Sequence, residues 1–296
     1  MPTRTLRLAT PQPFEFGLCL RGHGWYDLPP HRLDAGDRAF ATVLVLGTDA
    51  VDAELRPTAT GLSLRLTAHR PLSSEDTAKA QAMVRHMLRL DDDLGAFHGL
   101  CRNEPSLQWA AQRGAGRLLR SARVFEDLVK LLFTTNTTWA GTRAMALQLV
   151  EHCGPVAPSG ARGFPVPSQC RKPAAFWRDT VRCGYRAEAA VQLVEAFATG
   201  VLSDAMFTVP QPSAELWQRL VGLRGFGPYA AGQAMRLLGH YEHLALDSWC
   251  RARLAELDGR NRPPSDRAVA RRYARFAPYQ GLALWLHLTA DWHAPS

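Results

Sequence analysis

The apolar pattern of this chain changes period at Ser73, and the change divides it into two kinds of structure. Upstream the period is two. Phe40-Ala-Thr-Val-Leu-Val-Leu46 is a short β-type run. Val51, Ala53 and Leu55 alternate with Asp52 and Glu54, and Leu62, Leu64 and Leu66 alternate with Ser63, Arg65 and Thr67. Alternation places apolar side chains on one face of a strand. These runs therefore predict an antiparallel meander with one wet face, broken at Gly47-Thr-Asp49 and at Pro57-Thr-Ala-Thr-Gly61.

Downstream the period is helical. Ala80, Met83, Val84, Met87 and Leu88 follow the i, i+3, i+4, i+7 rule, and Ser73 with Asp76 has the pattern of a capping box. Similar stripes hold Val124, Phe125, Leu128, Leu131 and Leu132; then Leu216, Trp217, Leu220 and Val221; then Val269, Tyr273 and Phe276 after Pro263-Pro-Ser265. Joints such as Cys153-Gly-Pro-Val-Ala-Pro-Ser-Gly160 separate them. The expectation is an α+β chain: a small antiparallel β-domain over residues 1–72, then a mainly helical domain over 73–296.

Composition narrows the class. With 296 residues the chain can bury a sizeable core. No stretch nears eighteen uninterrupted apolar residues, so no membrane partner is expected. The first residues, Met1-Pro-Thr-Arg-Thr-Leu-Arg7, lack the apolar run of a signal peptide. The expected location is cytoplasmic, nucleoid-associated if the source is bacterial. Six cysteines at 19, 101, 153, 170, 183 and 250 form no Cys-x-x-Cys pair, so free thiols are expected in place of a zinc or iron–sulfur site. Lys and Arg total 35 against 27 Asp and Glu, a net charge of 35 − 27 = +8. Basic chains attract polyanions, which makes nucleic acid a candidate partner, although only Lys79, Lys130 and Lys172 are lysines and an arginine bias can follow base composition.

The segment richest in chemistry is Leu220-Val-Gly-Leu-Arg-Gly-Phe-Gly-Pro-Tyr-Ala-Ala-Gly-Gln-Ala234. A helix ending near Gly222 meets Gly225-Phe226-Gly227, and Pro228 opens a second helix at its favoured first position. Glycines allow a tight hairpin and close approach of backbone to a ligand. Phe226 would pin the hairpin to the core. Free N–H groups at the new helix start make an anion site, the layout of a helix-hairpin-helix over residues 213–239 that grips phosphate without reading sequence. An ordinary helix corner would use the same Gly-x-Gly. Twenty residues past Gly227, Asp247 follows Leu244-Ala-Leu246 and precedes an amphipathic stretch. It reads as a helix N-cap, and also as a carboxylate placed to face a cation developing on a sugar.

These motifs, taken in order, resemble the helix-hairpin-helix (HhH-GPD) DNA glycosylase superfamily, and within it the 3-methyladenine DNA glycosylase II and 8-oxoguanine DNA glycosylase group. Leu223-Arg-Gly-Phe-Gly227 and Asp247 carry the resemblance. So do Gly116-Arg-Leu-Leu-Arg120, Phe125-Glu126, Thr134-Thr-Asn-Thr-Thr-Trp139, Gly163-Phe-Pro165, Gly184-Tyr-Arg186 and Pro278-Tyr279-x-Gly281. It covers roughly residues 73–296.

The resemblance implies an enzyme that bends double-stranded DNA, flips out a damaged nucleotide and cleaves its N-glycosidic bond. Asp247 would be the catalytic carboxylate. Gly225, Phe226, Gly227 and Tyr229 would meet the DNA backbone, and Asn136 would fill the gap left by the flipped base. Asn136 could equally satisfy backbone groups at a helix end. Bifunctional relatives carry a lysine two residues beyond the second hairpin glycine; here that position is Tyr229, so strand-cleaving lyase activity is not expected. Trp139, Tyr229, Trp249 and Trp285 are candidate walls of a base pocket that stacks on an alkylated purine, with Trp139 and Trp285 also reading as core. Leu284 falls where 8-oxoguanine-specific relatives read the base with a glutamine.

No cofactor and no metal are expected, with a monovalent cation on hairpin backbone carbonyls the one ion the resemblance leaves open. Asp91-Asp92-Asp93 reads as a cap and a solvated face, and His240 and His243 as loop residues without a ligand role. A monomer is expected. Two readings stand beside that of a monofunctional glycosylase for alkylated purines: a monofunctional glycosylase for an oxidised or deaminated base such as 8-oxoguanine, and a non-catalytic helix-hairpin-helix DNA-binding protein.

Overall fold

The computed structural model describes residues 1–34 and 36–293. Five strands, β1 (Thr3–Leu8), β2 (Arg32–Leu33), β3 (Phe40–Leu46), β4 (Asp49–Thr58) and β5 (Gly61–Thr67), form one antiparallel sheet in the order β1-β5-β4-β3-β2. The alternation fixes the register. Leu55 pairs with Leu64 and with Phe40, and all three are buried. Pro57 and Thr58 belong to β4, not to the turn expected over residues 57–61. Pro57 faces Leu62 near the hairpin end, where a missing N–H costs the ladder little.

Between β1 and β2 the chain leaves the sheet. It forms helix α1 (Phe16–Arg21) and a 3-10 turn over Gly24–Asp27. Helices then follow: α2 (Ser74–Leu88), α3 (Gly95–Arg102), α4 (Gln108–Arg113), α5 (Val124–Thr134), α6 (Trp139–Cys153), α7 (Ala187–Ala198), α8 (Ala205–Thr208), α9 (Ser213–Val221), α10 (Pro228–Leu238), α11 (Ser248–Leu257), α12 (Asp266–Tyr273) and α13 (Gln280–Leu288). The capping box at the start of α2 is complete, since Ser73 Oγ accepts from Asp76 N and Asp76 accepts from Ser73 N. Ser265 caps α12 in the same way.

One apolar core runs from the sheet (Phe40, Leu44, Val51, Leu64) through α2 (Ala80, Val84, Met87) to α5 and α10. A second core joins α3, α11, α12 and α13 through Phe97, Leu254, Tyr273 and Leu284. The first core encloses charge. Lys130 Nζ donates to Glu126 Oε1 at 2.6 Å, and both side chains are buried. Beside them Asp127 Oδ1 accepts from Trp25 Nε1 at 2.6 Å and from Ser121 N at 2.8 Å. These bonds tie the segment after α1 to α5, because a buried polar group is stable only when paired. Asp91 and Asp92 pair with Arg85 and Arg89, and Asp93 accepts from Gly95 N. The six cysteines are free thiols. Among the described residues no helix is long and apolar enough to cross a membrane.

Candidate active site

Helices α9 and α10 enclose the hairpin. Gly222 ends α9, and Pro228 is the first residue of α10. Gly225 has φ +87°, a left-handed conformation that favours glycine, and a Cβ there would come within 2.7 Å of Leu132 Cδ1. Gly227 has ordinary extended backbone, and a Cβ there would meet nothing within 4 Å. The space outside Gly227 is open for a ligand.

Phe226 pins the hairpin to the core. Its ring is buried in the first core, a burial that stabilises the hairpin by about 1.5–3 kcal/mol. Its N–H donates to Leu223 O at 3.0 Å. It therefore anchors the hairpin and offers nothing to a phosphate. The donors left are the N–H groups of Gly225, Gly227, Tyr229 and Ala230, which have no acceptor among the described residues. A cluster of free N–H groups at a helix start favours an anion.

Asp247 caps the next helix. Its Oδ1 accepts from Cys250 N at 2.7 Å at the start of α11. One carboxylate oxygen is thereby fixed, and the side chain stands in the wall of a cleft of about 1710 Å³ that also contains the hairpin. Tyr229 is half-buried in the same wall. Burial, and then the charge of Asp247, push its phenol up to about 12. It is neutral near pH 7. Cys250, behind Asp247, is pushed up to about 12 for the same two reasons, so it carries no thiolate.

The four expected wall aromatics all line this cleft, but in different states. Trp139 is 39% exposed and stands at the rim, its Nε1 donating to Asp27 Oδ2 at 2.7 Å. Trp249 is exposed to the same degree and lies 6.0 Å from Trp285, ring to ring. Trp285 is buried, held by Nε1 donating to Gly22 O at 2.7 Å. The Arg236 guanidinium lies 5.0 Å from the Trp285 ring centroid. Arg236 is fully buried, bonded to Gln233 Oε1 and Leu244 O at 2.9 Å each, and burial lowers its pKa below the usual arginine range. Leu284 differs from its expected place. It is fully buried in the second core and does not line the cleft; its neighbour Trp285 does. Successive residues of a helix point about 100° apart, so a one-residue displacement moves a side chain from wall to core.

Asn136 stands exposed at the rim with φ +43°, and its Nδ2 donates to the Tyr185 hydroxyl at 3.1 Å. Arg186, next to Tyr185, is buried and bonds back to Asn136 O at 3.2 Å and to Thr135.

Sequence reasoning did not find the rest of the lining. His23, Gly24, Trp25, Tyr26 and Asp27, from the turn after α1, line the cleft, as does Trp292 near the C-terminal end of the described chain. His23 and Trp25 are buried. Short aromatic segments outside any repeat give no periodic signal, and the aromatic richness of residues 23–26 was the one available cue. His240 and His243 are engaged elsewhere, His240 Nδ1 with Ser213 Oγ at 2.7 Å and His243 stacked on Trp217 at 3.9 Å. Among the described residues there is no group of three His, Cys, Asp or Glu placed to hold a metal ion.

No family model and no curated protein matches this sequence. Solved structures do match. The chain resembles 3-methyladenine DNA glycosylase from Archaeoglobus fulgidus with a TM-score of 0.72 at 18% identity, covering 100% of both chains. It resembles the 8-oxoguanine glycosylase/lyase of Clostridium acetobutylicum, in complex with double-stranded DNA containing cytosine opposite 8-oxoguanine, with a TM-score of 0.65 at 14% identity, covering 92% of this chain and 93% of that one. For Schizosaccharomyces pombe 3-methyladenine DNA glycosylase in complex with abasic DNA the TM-score is 0.53 at 17% identity, over 66% of this chain and 96% of that one. A β-sheet followed by helices, with a hairpin and a capping aspartate at one cleft, thus gives this chain the fold of the helix-hairpin-helix DNA glycosylases.

Proposed function

We propose that this protein is a monofunctional DNA glycosylase that excises a damaged purine in base excision repair. The observation that carries the reading is the placement of Asp247. Its carboxylate caps α11 in the wall of an aromatic cleft, and the hairpin residues that carry the free N–H groups line the same cleft. The hairpin would hold backbone phosphate, and a base turned out of the duplex would enter among the tryptophans. The C1′–N bond then breaks with its electron pair leaving on the base. Asp247 stabilises the positive charge left on the sugar, water adds to C1′, and the carboxylate takes up the proton that the water releases.

Monofunctional chemistry is favoured by the absence of any lysine from the described lining of the cleft. Lys130 is buried against Glu126, and Lys79 pairs with Glu75 on the surface of α2. Tyr229 cannot form an imine with the sugar aldehyde.

The aromatic lining suits an alkylated purine. One observation favours the second reading, a neutral oxidised or deaminated base: Arg236 already holds a positive charge 5.0 Å from the Trp285 ring, and a second cation nearby would be repelled. Base release from duplexes carrying 7-methylguanine, hypoxanthine or 8-oxoguanine tests the proposal, with Asp247→Asn as the control. Asn caps a helix as well as Asp does. The variant should therefore keep its fold and its DNA affinity while losing at least about a hundredfold in single-turnover excision, the scale of one lost electrostatic stabiliser. Excision by Asp247→Asn at the wild-type rate would refute the assignment.

A further inference from the structure

The inner wall of the cleft holds a polar group with nothing to bind. His23 is 6% exposed and lines the cleft. Its Nδ1 is buried without a partner. The ring cannot turn away to find one. It meets Trp25 edge-on, centroids 4.3 Å apart at 80°, and leans on Trp285 at 5.6 Å and 36°. Trp25 is locked by Asp127, and Trp285 by the carbonyl of Gly22, the residue preceding His23. Burial, then the positive charges of Arg236 and Lys130, lower its pKa to about 3. The imidazole is therefore neutral, with one N–H donor and one bare nitrogen acceptor. Tryptophan walls can stack on any base. A neutral imidazole edge can tell one base edge from another.

We propose that His23 is a specificity-determining residue: its imidazole edge hydrogen-bonds the base turned into the cleft and selects lesions whose inserted edge carries a complementary polar group. This rests on the glycosylase reading above and adds to it a residue from outside the helical region.

The test is single-turnover base release from the 7-methylguanine, hypoxanthine and 8-oxoguanine duplexes, alongside affinity for a duplex with a tetrahydrofuran abasic analogue, which has no base to read. His23→Phe keeps a flat ring and removes both nitrogens. It should lower excision of the preferred base about tenfold or more and shift the ratios among the three lesions. Affinity for the abasic duplex should stay within about twofold, because phosphate contacts are untouched. His23→Gln, which places an amide near Nε2, should recover part of the loss. Should His23→Phe not fold, His23→Leu serves as the apolar variant. Wild-type rates and wild-type ratios in the apolar variant, with excision intact, overturn this proposal and leave the glycosylase reading standing. A wild-type protein that releases no base from any duplex overturns both.

Discussion

Asn136 Nδ2 donates to the Tyr185 hydroxyl at 3.1 Å, joining two segments 49 residues apart at the rim of the cleft. Both side chains are exposed, Tyr185 at 67%, so their bond holds one in place beside the other and buries neither. If Asn136 fills the gap left by the flipped base, Tyr185 positions it. Asn136→Gly removes the amide and accepts the φ of +43° without strain, so it should slow excision about tenfold with little change in melting temperature. Tyr185→Phe should slow it only severalfold. The double variant should be no slower than Asn136→Gly alone, because the two act as a unit. Fully additive losses would show that they act separately.

The two hairpin glycines make different predictions, although they look alike in sequence. Gly225→Ala must place a Cβ at φ +87° and within 2.7 Å of Leu132, so it should lower stability by about 1 kcal/mol or more. Gly227→Ala meets open space at an ordinary φ and should melt at the wild-type temperature. Its methyl group would stand where the phosphate is proposed to sit. Gly227→Ala should therefore weaken binding to all duplexes alike, lesion or not, and reduce the dependence of affinity on salt. Thermal melts and salt titrations of binding measure both effects. A loss confined to one lesion would move the hairpin into the base pocket.

What could be read from the sequence follows from how far apart in the chain the interacting residues lie. The strands over residues 40–67, the Ser73–Asp76 capping box, the Pro228 helix start and the Asp247 cap are set by neighbours within a few residues, or by a repeating period. How the turn after α1 joins the lining is set by contacts across the whole chain. Trp25 is fixed by Asp127, 102 residues away, and Trp285 reaches Gly22 across 263. No local rule reports such pairs. The same limit explains Leu284 and Trp285. Both lie on an apolar helix, and only the packing of α13 decides which of them faces the cleft.

Neutral His23 has a consequence for stability. Its folded-state pKa of about 3 lies below the ordinary value of 6.5, so the unfolded chain binds a proton more readily than the folded one. Its share of stability is complete above pH 6.5 and is lost as pH falls toward 3. His23→Phe removes this penalty and the unpartnered Nδ1 together. The melting temperature of the variant relative to wild type should be constant above about pH 7 and rise in the variant's favour as the pH drops below 6.5. A difference that stays flat from pH 7 to pH 4.5 would mean that the wild-type imidazole carries a proton in the fold.

Strand scission gives the sharpest test of reaction type. A lyase needs an amine, partly neutral at working pH, held against the sugar carbon. Tyr229 stands in the wall of the cleft, and its phenol, raised to about 12, is no substitute for an amine. Lys130 is enclosed by Glu126 and Ser121 inside the core, and Lys79 lies on α2, outside the cleft. The N-terminal amine precedes β1 at the edge of the sheet, and Met1 is not part of the cleft. The expected product of the wild-type protein is therefore an intact strand carrying an abasic site, cut only by later alkali or a separate endonuclease. Borohydride added during turnover on the excised lesion should trap no protein–DNA adduct. A trapped adduct, with nicking that precedes alkali, would require an amine to reach the sugar. Repeating the trap with Lys130→Arg and Lys172→Arg would then show whether either lysine supplies it.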